Sequence, residues 1–270
     1  MPEEYLLTVA TKSYGLYDNL INNKFSYPVK TLGFGMEWEG FIMKFKLVEK
    51  YIKNLNDDDI IIFVDAFDTV INKNPKIAFE MFKKQNFKVL FSQDMDFENR
   101  IINFINNKIF KNKNHKIINS GLYMGQVFYI KKILKEILNV HEKYKTTDDQ
   151  IAANFVYPKF KFVGLDLNKD IFLNTQIKNK DNKESVFISY PGQINITKRF
   201  FRGIKEYTQF FLTEIIILFC FIMLVSLFCL YKNKSSSSNY IVCVLVILFI
   251  FLFMYFYIDK SSIKIHKLLK

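Results

Sequence analysis

Apolar and polar residues alternate along the first two hundred positions in two different rhythms. Short, nearly continuous apolar runs appear at "YLLTVAT" (5–11), "PVKTLGFG" (28–35), "DDDIIIFVD" (57–65), "FKVLFSQD" (87–94) and "HKIINSGLYMGQ" (115–126). Each is bounded by turn residues and reads as a strand. Between them the apolar positions fall at helical spacing. Phe41, Phe45, Val48, Ile52 and Leu55 mark one helix. A second begins at "NPKIAFEMFKKQN", where Pro75 suits the first turn. "VFYIKKILKEILNVHEKY" is a long amphipathic helix, and "TTDDQIAANFVYP" opens another with Thr146 or Thr147 as its cap. "KFVGLD" and "SVFISYPG" are late, short strands. The run at 60–64 is apolar throughout, which suits a parallel strand covered on both faces. Strands alternating with helices predict an α/β sheet with helices on each side.

The rhythm changes near the C-terminus. Ile215–Tyr231 and Tyr240–Ile258 carry no charge and are apolar on every face. A helix that crosses a hydrocarbon core needs roughly 20 such residues. The second stretch meets this directly, and the first does if it begins near Phe210. The expected organisation is a globular domain over 1–205, a first transmembrane helix over 210–231 and a second over 240–258. The N-terminus starts acidic and lacks the basic-then-apolar order of a secretory signal.

The net charge of +12 would suggest a nucleic-acid partner until it is located. From Lys198 onward the net charge is +7, leaving +5 for the preceding residues. The excess therefore flanks the apolar segments, and no nucleic-acid partner is expected. Both outer flanks are basic, favouring a hairpin anchor with both ends, and the globular domain, in the cytosol. The only cysteines, Cys220, Cys229 and Cys243, lie inside the apolar segments. The globular part therefore needs no disulfide.

The chemistry concentrates at "IIIFVDAFDTVI" (60–71). In open α/β sheets, ligands bind beyond the carboxyl ends of the strands. Asp65 stands at that end of the most apolar strand, and Asp68 follows one short turn later. Two hard oxygen donors aimed at one spot suit Mn²⁺ or Mg²⁺, which would bridge phosphates. The alternative is a solvated turn. Asp148, Asp149 and Gln150 open a helix, where the helix dipole alone favours acids.

Seven segments in order resemble the glycosyltransferase domain of the procollagen lysyl hydroxylase type. These are "LTVATK" (7–12), "LGFGMEWEG" (32–40), "IIIFVDAFDTVI", "VLFSQD" (89–94), "NSGLYMG" (119–125), "DDQ" (148–150) and "GLDLNKDIFLN" (164–174). The resemblance implies a GT-A fold, a Rossmann-like sheet that takes a UDP-sugar donor through a divalent metal. It implies that Asp65 and Asp68 ligate Mn²⁺ or Mg²⁺, and that Phe67 and Trp38 stand beside the nucleotide. Lys44 would lie near the phosphates, and Thr11 would reach the base or ribose. Asn119, Ser120 and Gly121 would line the sugar site, with Gly121 letting the sugar approach the backbone. Asp148 and Asp149 would face the donor sugar and acceptor hydroxyl, one of them, Asp149 in preference, as general base. The family's third metal ligand, a histidine before a Gly-containing loop, is replaced here by Ser189 or Tyr190 in "FISYPGQINITK". The expected function is transfer of glucose or galactose to an acceptor hydroxyl. The alternative is a membrane-bound binding or scaffold protein whose catalysis is weakened.

Overall fold

The computed structural model describes residues 2–95, 116–144, 148–175 and 184–192, with the isolated positions 217, 221, 224, 244 and 247. The chain divides into two units, and the architecture below belongs to the first, which runs Met1–Ile196. Among the described residues no helix is long and apolar enough to cross a membrane. The two expected spans lie outside the described residues but for those five positions.

In chain order the elements are β1 (Glu4–Val9), α1 (Tyr17–Ile21), β2 (Val29–Leu32), α2 (Met43–Ile52), β3 (Ile60–Val64), β4 (Thr69–Ile71) and α3 (Pro75–Lys83). There follow β5 (Val89–Gln93), β6 (Ile118–Gln126), α4 (Val127–Tyr144) and α5 (Asp149–Val156). A 3₁₀ turn over Tyr157–Lys159 leads to β7 (Val163–Asp166), β8 (Phe172–Asn174) and β9 (Phe187–Ser189). Six strands form one sheet in the order β2-β1-β3-β6-β5-β7, and β4-β9-β8 form a second.

The sheet is not wholly parallel as its apolar runs suggested. β1 runs parallel to both β2 and β3, and β5 parallel to β7. β6, however, is antiparallel to β3 on one side and to β5 on the other. A fully buried run says that both faces are covered; it does not encode direction. The result is an α/β arrangement with both faces of the sheet covered and one inner antiparallel strand.

Each face of the large sheet has its own core. On one face α2, α4 and α5 cover Leu7, Ile61, Phe63 and Phe91, with Phe45, Ile133 and Ala153 packed in from the helices. On the other, α3 supplies Ala78, Phe79 and Phe82 against Leu6, Ile62, Val64 and Leu90, and the small sheet adds Phe172 and Phe187. Fully burying an aliphatic or aromatic side chain contributes about 1.5–3 kcal/mol. These two layers therefore fix β3 firmly enough to hold charged groups at its end.

Local chemistry sets the helix starts. Asn74 caps α3 by accepting from the Lys76 amide, with Pro75 in the first turn as expected. α5 is capped by Asp148, not by Thr146 or Thr147, which lie outside the described residues. One Asp148 oxygen accepts from the amides of Gln150 at 2.8 Å and Ile151 at 3.3 Å. A carboxylate serves a helix N-terminus twice over, as acceptor for its free amides and as charge complement to the dipole.

Candidate active site

Four elements converge at the carboxyl end of β3. The Asp65 amide donates to the Gly121 carbonyl at 2.8 Å, extending the β3–β6 ladder by one rung. Opposite β5, β6 slips register: Phe91 faces Tyr123, but Ser92 already faces Asn119. The residues between bulge from the β5 side, which is how a regular strand re-aims side chains at a site. Ser120 and Gly121 lie in that bulge. The Asn119 side-chain oxygen accepts from the Gly121 amide at 2.8 Å and braces it.

Gly121 has a use the sequence did not reveal. A Cβ built there would lie 2.1 Å from Asp65 Oδ2. The space that the missing side chain leaves is filled by the Asp65 carboxylate.

Lys44, in the first turn of α2, points inward and is 5 % exposed. Its ammonium donates to Asp65 Oδ1 at 3.3 Å and Oδ2 at 3.5 Å, and to Ser120 Oγ at 3.3 Å. Its shortest contact is the ion pair with Asp149 Oδ2, at 2.7 Å. Ser120 Oγ donates to that same Asp149 oxygen at 2.6 Å. Burial alone would lower the Lys44 pKa, but the charges of Asp149 and Asp65 outweigh it and hold the ammonium above its usual range.

Asp68 completes the group. Its Oδ1 accepts from Ser189 Oγ at 3.2 Å, and its carbonyl accepts from the Tyr190 amide at 2.8 Å. The pairing of β4 with β9 sets Thr69 opposite Ser189 and brings the "SYPG" segment beside the β3 turn. The position expected for a third metal ligand is thus at the site, and a neutral hydroxyl occupies it.

Burial pushes the Asp65 carboxyl up; the Lys44 charge opposes that and the Asp149 charge reinforces it, leaving it raised. Burial and then the Asp65 charge push Asp68 up to about 7, against hydrogen bonds from Ser189 and the Gly192 backbone. The Asp65 side chain is nonetheless 37 % exposed, so solvent reaches it and tempers the shift. Two mutually repelling oxygen donors, each driven toward its neutral form, fit a hard divalent ion that keeps water or phosphate in its remaining positions. Among the described residues no group of three or more His, Cys, Asp and Glu side chains is arranged to hold a metal.

The remaining predicted residues sit on neighbouring loops. Phe67 lies between the two aspartates; its ring meets Tyr14 edge-on at 5.6 Å, and its carbonyl accepts from the Leu16 amide at 2.9 Å. The Thr11 carbonyl accepts from the Gly35 amide at 2.9 Å, tying the loop after β1 to the loop after β2. Trp38 is 41 % exposed, with its ring edge-on to Phe41 at 5.7 Å. Sequence reasoning joined Asp65 with Asp68, but not Lys44 with Asp149. It also missed Asp94, which follows β5 as Asp65 follows β3 and accepts from Gln150 Nε2 at 3.0 Å. The shared signal was an aspartate at the end of an apolar strand.

An α/β sheet with a cluster of carboxylates around one buried lysine beyond an inner strand is the setting in which the comparison with known families falls. The family model described as "PLOD GT domain" matches residues 2–195, and the chain belongs to that family. It is similar to procollagen-lysine,2-oxoglutarate 5-dioxygenase 2 of Mus musculus, 27 % identical over 56 % of this chain and 22 % of the relative. It is likewise similar to the multifunctional procollagen lysine hydroxylase and glycosyltransferase of Caenorhabditis elegans, 27 % identical over 63 % of this chain and 24 % of the relative. The chain thus spans about a quarter of the length of the curated relatives it matches. Among solved structures it resembles a glycosyltransferase involved in glycosylation of the major capsid of PBCV-1, with 12 % identity and a TM-score of 0.49, covering 71 % of this chain and 94 % of that one.

Proposed function

We propose that this chain is a membrane-anchored, metal-dependent glycosyltransferase that moves glucose or galactose from a UDP-sugar to an acceptor hydroxyl. The observation that carries the reading is the pair Asp65 and Asp68, held at the end of β3 with Ser189 against the second. These carboxylates would hold Mn²⁺ or Mg²⁺, which would supply charge neutralisation to a departing diphosphate. Trp38, exposed on the loop after β2, and Phe67, between the aspartates, offer aromatic faces for the uracil. Asn119 beside the bulge and Ser120 within it, with Asp148 and Asp149 at the head of α5, supply polar groups for the sugar side. Thr11 stands on the loop that hydrogen-bonds the Trp38 loop, a placement suited to the base or ribose.

The hydroxyl of Ser189 in the third-ligand position favours one other reading, a domain that binds the nucleotide sugar and turns it over weakly or not at all. Solubilised protein incubated with Mn²⁺ and a panel of UDP-sugars separates the two. UDP release with UDP-glucose or UDP-galactose supports transfer, whereas binding without release supports the second reading. Asp65→Asn and Asp68→Asn are each expected to weaken UDP binding in Mn²⁺ by at least about tenfold while the fold persists. Unchanged affinity in both by calorimetry would remove the metal assignment.

A further inference from the structure

We propose that Lys44 is a positioning residue that fixes the ion-side carboxylate Asp65 against the sugar-side carboxylate Asp149, with Asp149 Oδ2 acting as its anchor. This rests on the reading of Asp65 and Asp68 as the ion-binding pair.

The geometry of the ammonium carries the inference. A lysine has three N–H donors and no acceptor. Lys44 spends them on three partners: Asp149 Oδ2, the Asp65 carboxylate and Ser120 Oγ. It is buried, so it does not reach outward to a diphosphate. Its effect on a donor must pass through the groups it holds. Those groups come from three elements distant in sequence: the end of β3, the bulge of β6 and the first turn of α5. One cation among them sets their spacing.

Asp149 is saturated on the side that faces Lys44. Its Oδ2 accepts both the ammonium and the Ser120 hydroxyl, at 2.7 and 2.6 Å, and the residue is buried. A proton acceptor for a sugar hydroxyl must present an oxygen to that hydroxyl. Oδ2, engaged twice under a buried lysine, serves to hold the lysine and is not the oxygen that meets the hydroxyl.

The charges add a second reason. With a divalent ion bound and all three carboxylates ionised, Asp65, Asp68 and Asp149 with Lys44 sum to −2, the complement of that ion. Without Lys44 the same cluster would be −3. It would attract a bare cation more strongly while losing the spacing between ion and sugar. Displacements of about 1 Å from the productive geometry cost roughly a hundredfold in rate.

The test uses the full, solubilised chain and opposes these two effects. Lys44→Met, close in length and uncharged, is expected to bind Mn²⁺ about tenfold more tightly, read by electron paramagnetic resonance of the free ion. Asp149→Asn leaves Lys44 without its nearest counter-charge and is expected to bind Mn²⁺ about tenfold more weakly. The double variant restores the net charge of −2 and should return to wild-type Mn²⁺ affinity. Its UDP release should stay as low as in either single variant, about a hundredfold down in kcat. Misfolding would weaken all three and could not produce shifts of opposite sign. Equal or weaker Mn²⁺ binding by folded Lys44→Met overturns the proposal. So does a double variant whose kcat falls by the product of the two single losses, about ten-thousandfold. Wild-type UDP release without the opposed Mn²⁺ shifts would sink the bridge and leave the transferase reading standing. Opposed shifts without UDP release from any donor would sink the transferase reading and leave the bridge.

Discussion

At the scale of single residues, Gly121 shows how one absent side chain shapes the site. A Cβ at that position would overlap the Asp65 carboxylate, the nearest oxygen being 2.1 Å away. Asp65 cannot retreat downward, since its backbone is locked to the Gly121 carbonyl. Gly121→Ala is therefore expected to swing the carboxylate out and weaken Mn²⁺-dependent UDP binding by about 10–100-fold. Isothermal titration with the ion present, alongside a circular dichroism spectrum that stays native, checks this. Tyr123 makes the converse case. Its ring is stacked on Phe63 at 5.0 Å and touches Phe91 and Phe45, yet its buried hydroxyl has no hydrogen-bond partner among the described residues. An unsatisfied buried hydroxyl costs about 1–3 kcal/mol. Tyr123→Phe keeps the ring and removes that cost, so thermal unfolding should show an equal or higher Tm. A clear drop would mean that the hydroxyl serves the carboxylates nearby; burial first, and then the charges of Asp65 and Asp149, push its ionisation well above the usual range.

At the scale of elements, the turn between β7 and β8 depends on one carboxylate. Asp166 accepts from the amides of Asp170, Ile171 and Phe172, at 3.2, 2.8 and 2.6 Å, and is buried. That places β8 beside β9, and β9 in turn sets Ser189 against Asp68. Asp166→Ala is expected to destabilise the domain by about 1–3 kcal/mol, and Asp166→Asn by less, because an amide oxygen still accepts. Urea midpoints at constant m-value would show this ordering. Sequence pattern anticipated most of the elements, since each depends on local spacing of apolar residues. It gave no sign of α1, which is five residues long with a single buried side chain, or of β4, three residues just past the carboxylate turn. Elements that short carry too few periods to register. β8 was visible only through the family resemblance, in "GLDLNKDIFLN".

At the scale of the whole molecule, we propose that the domain faces the cytosol on a C-terminal hairpin, with basic residues flanking both apolar stretches as the motive. Asn195-Ile196-Thr197 is a glycosylation acceptor triplet beside the domain and reports on this directly. In a eukaryotic host, Asn195 should remain unmodified, and the domain should be open to protease in intact microsomes. A deglycosidase-sensitive mass shift traced to Asn195 would place it in the lumen instead. The sequence by itself determined the α/β order, the apolar β3 and the two aspartates at its end. All of these follow from which residues a short segment must bury and where it must stop. Tertiary structure alone decided that β6 runs antiparallel between β3 and β5, because a doubly buried strand satisfies its hydrophobic pattern in either direction. It alone decided that Asp65 fills the space at Gly121, and that Lys44 joins Asp65 to Asp149. Lys44 and Asp149 stand on separate helices in the pattern; only closure of the sheet buries both, and a buried charge must then find its partner.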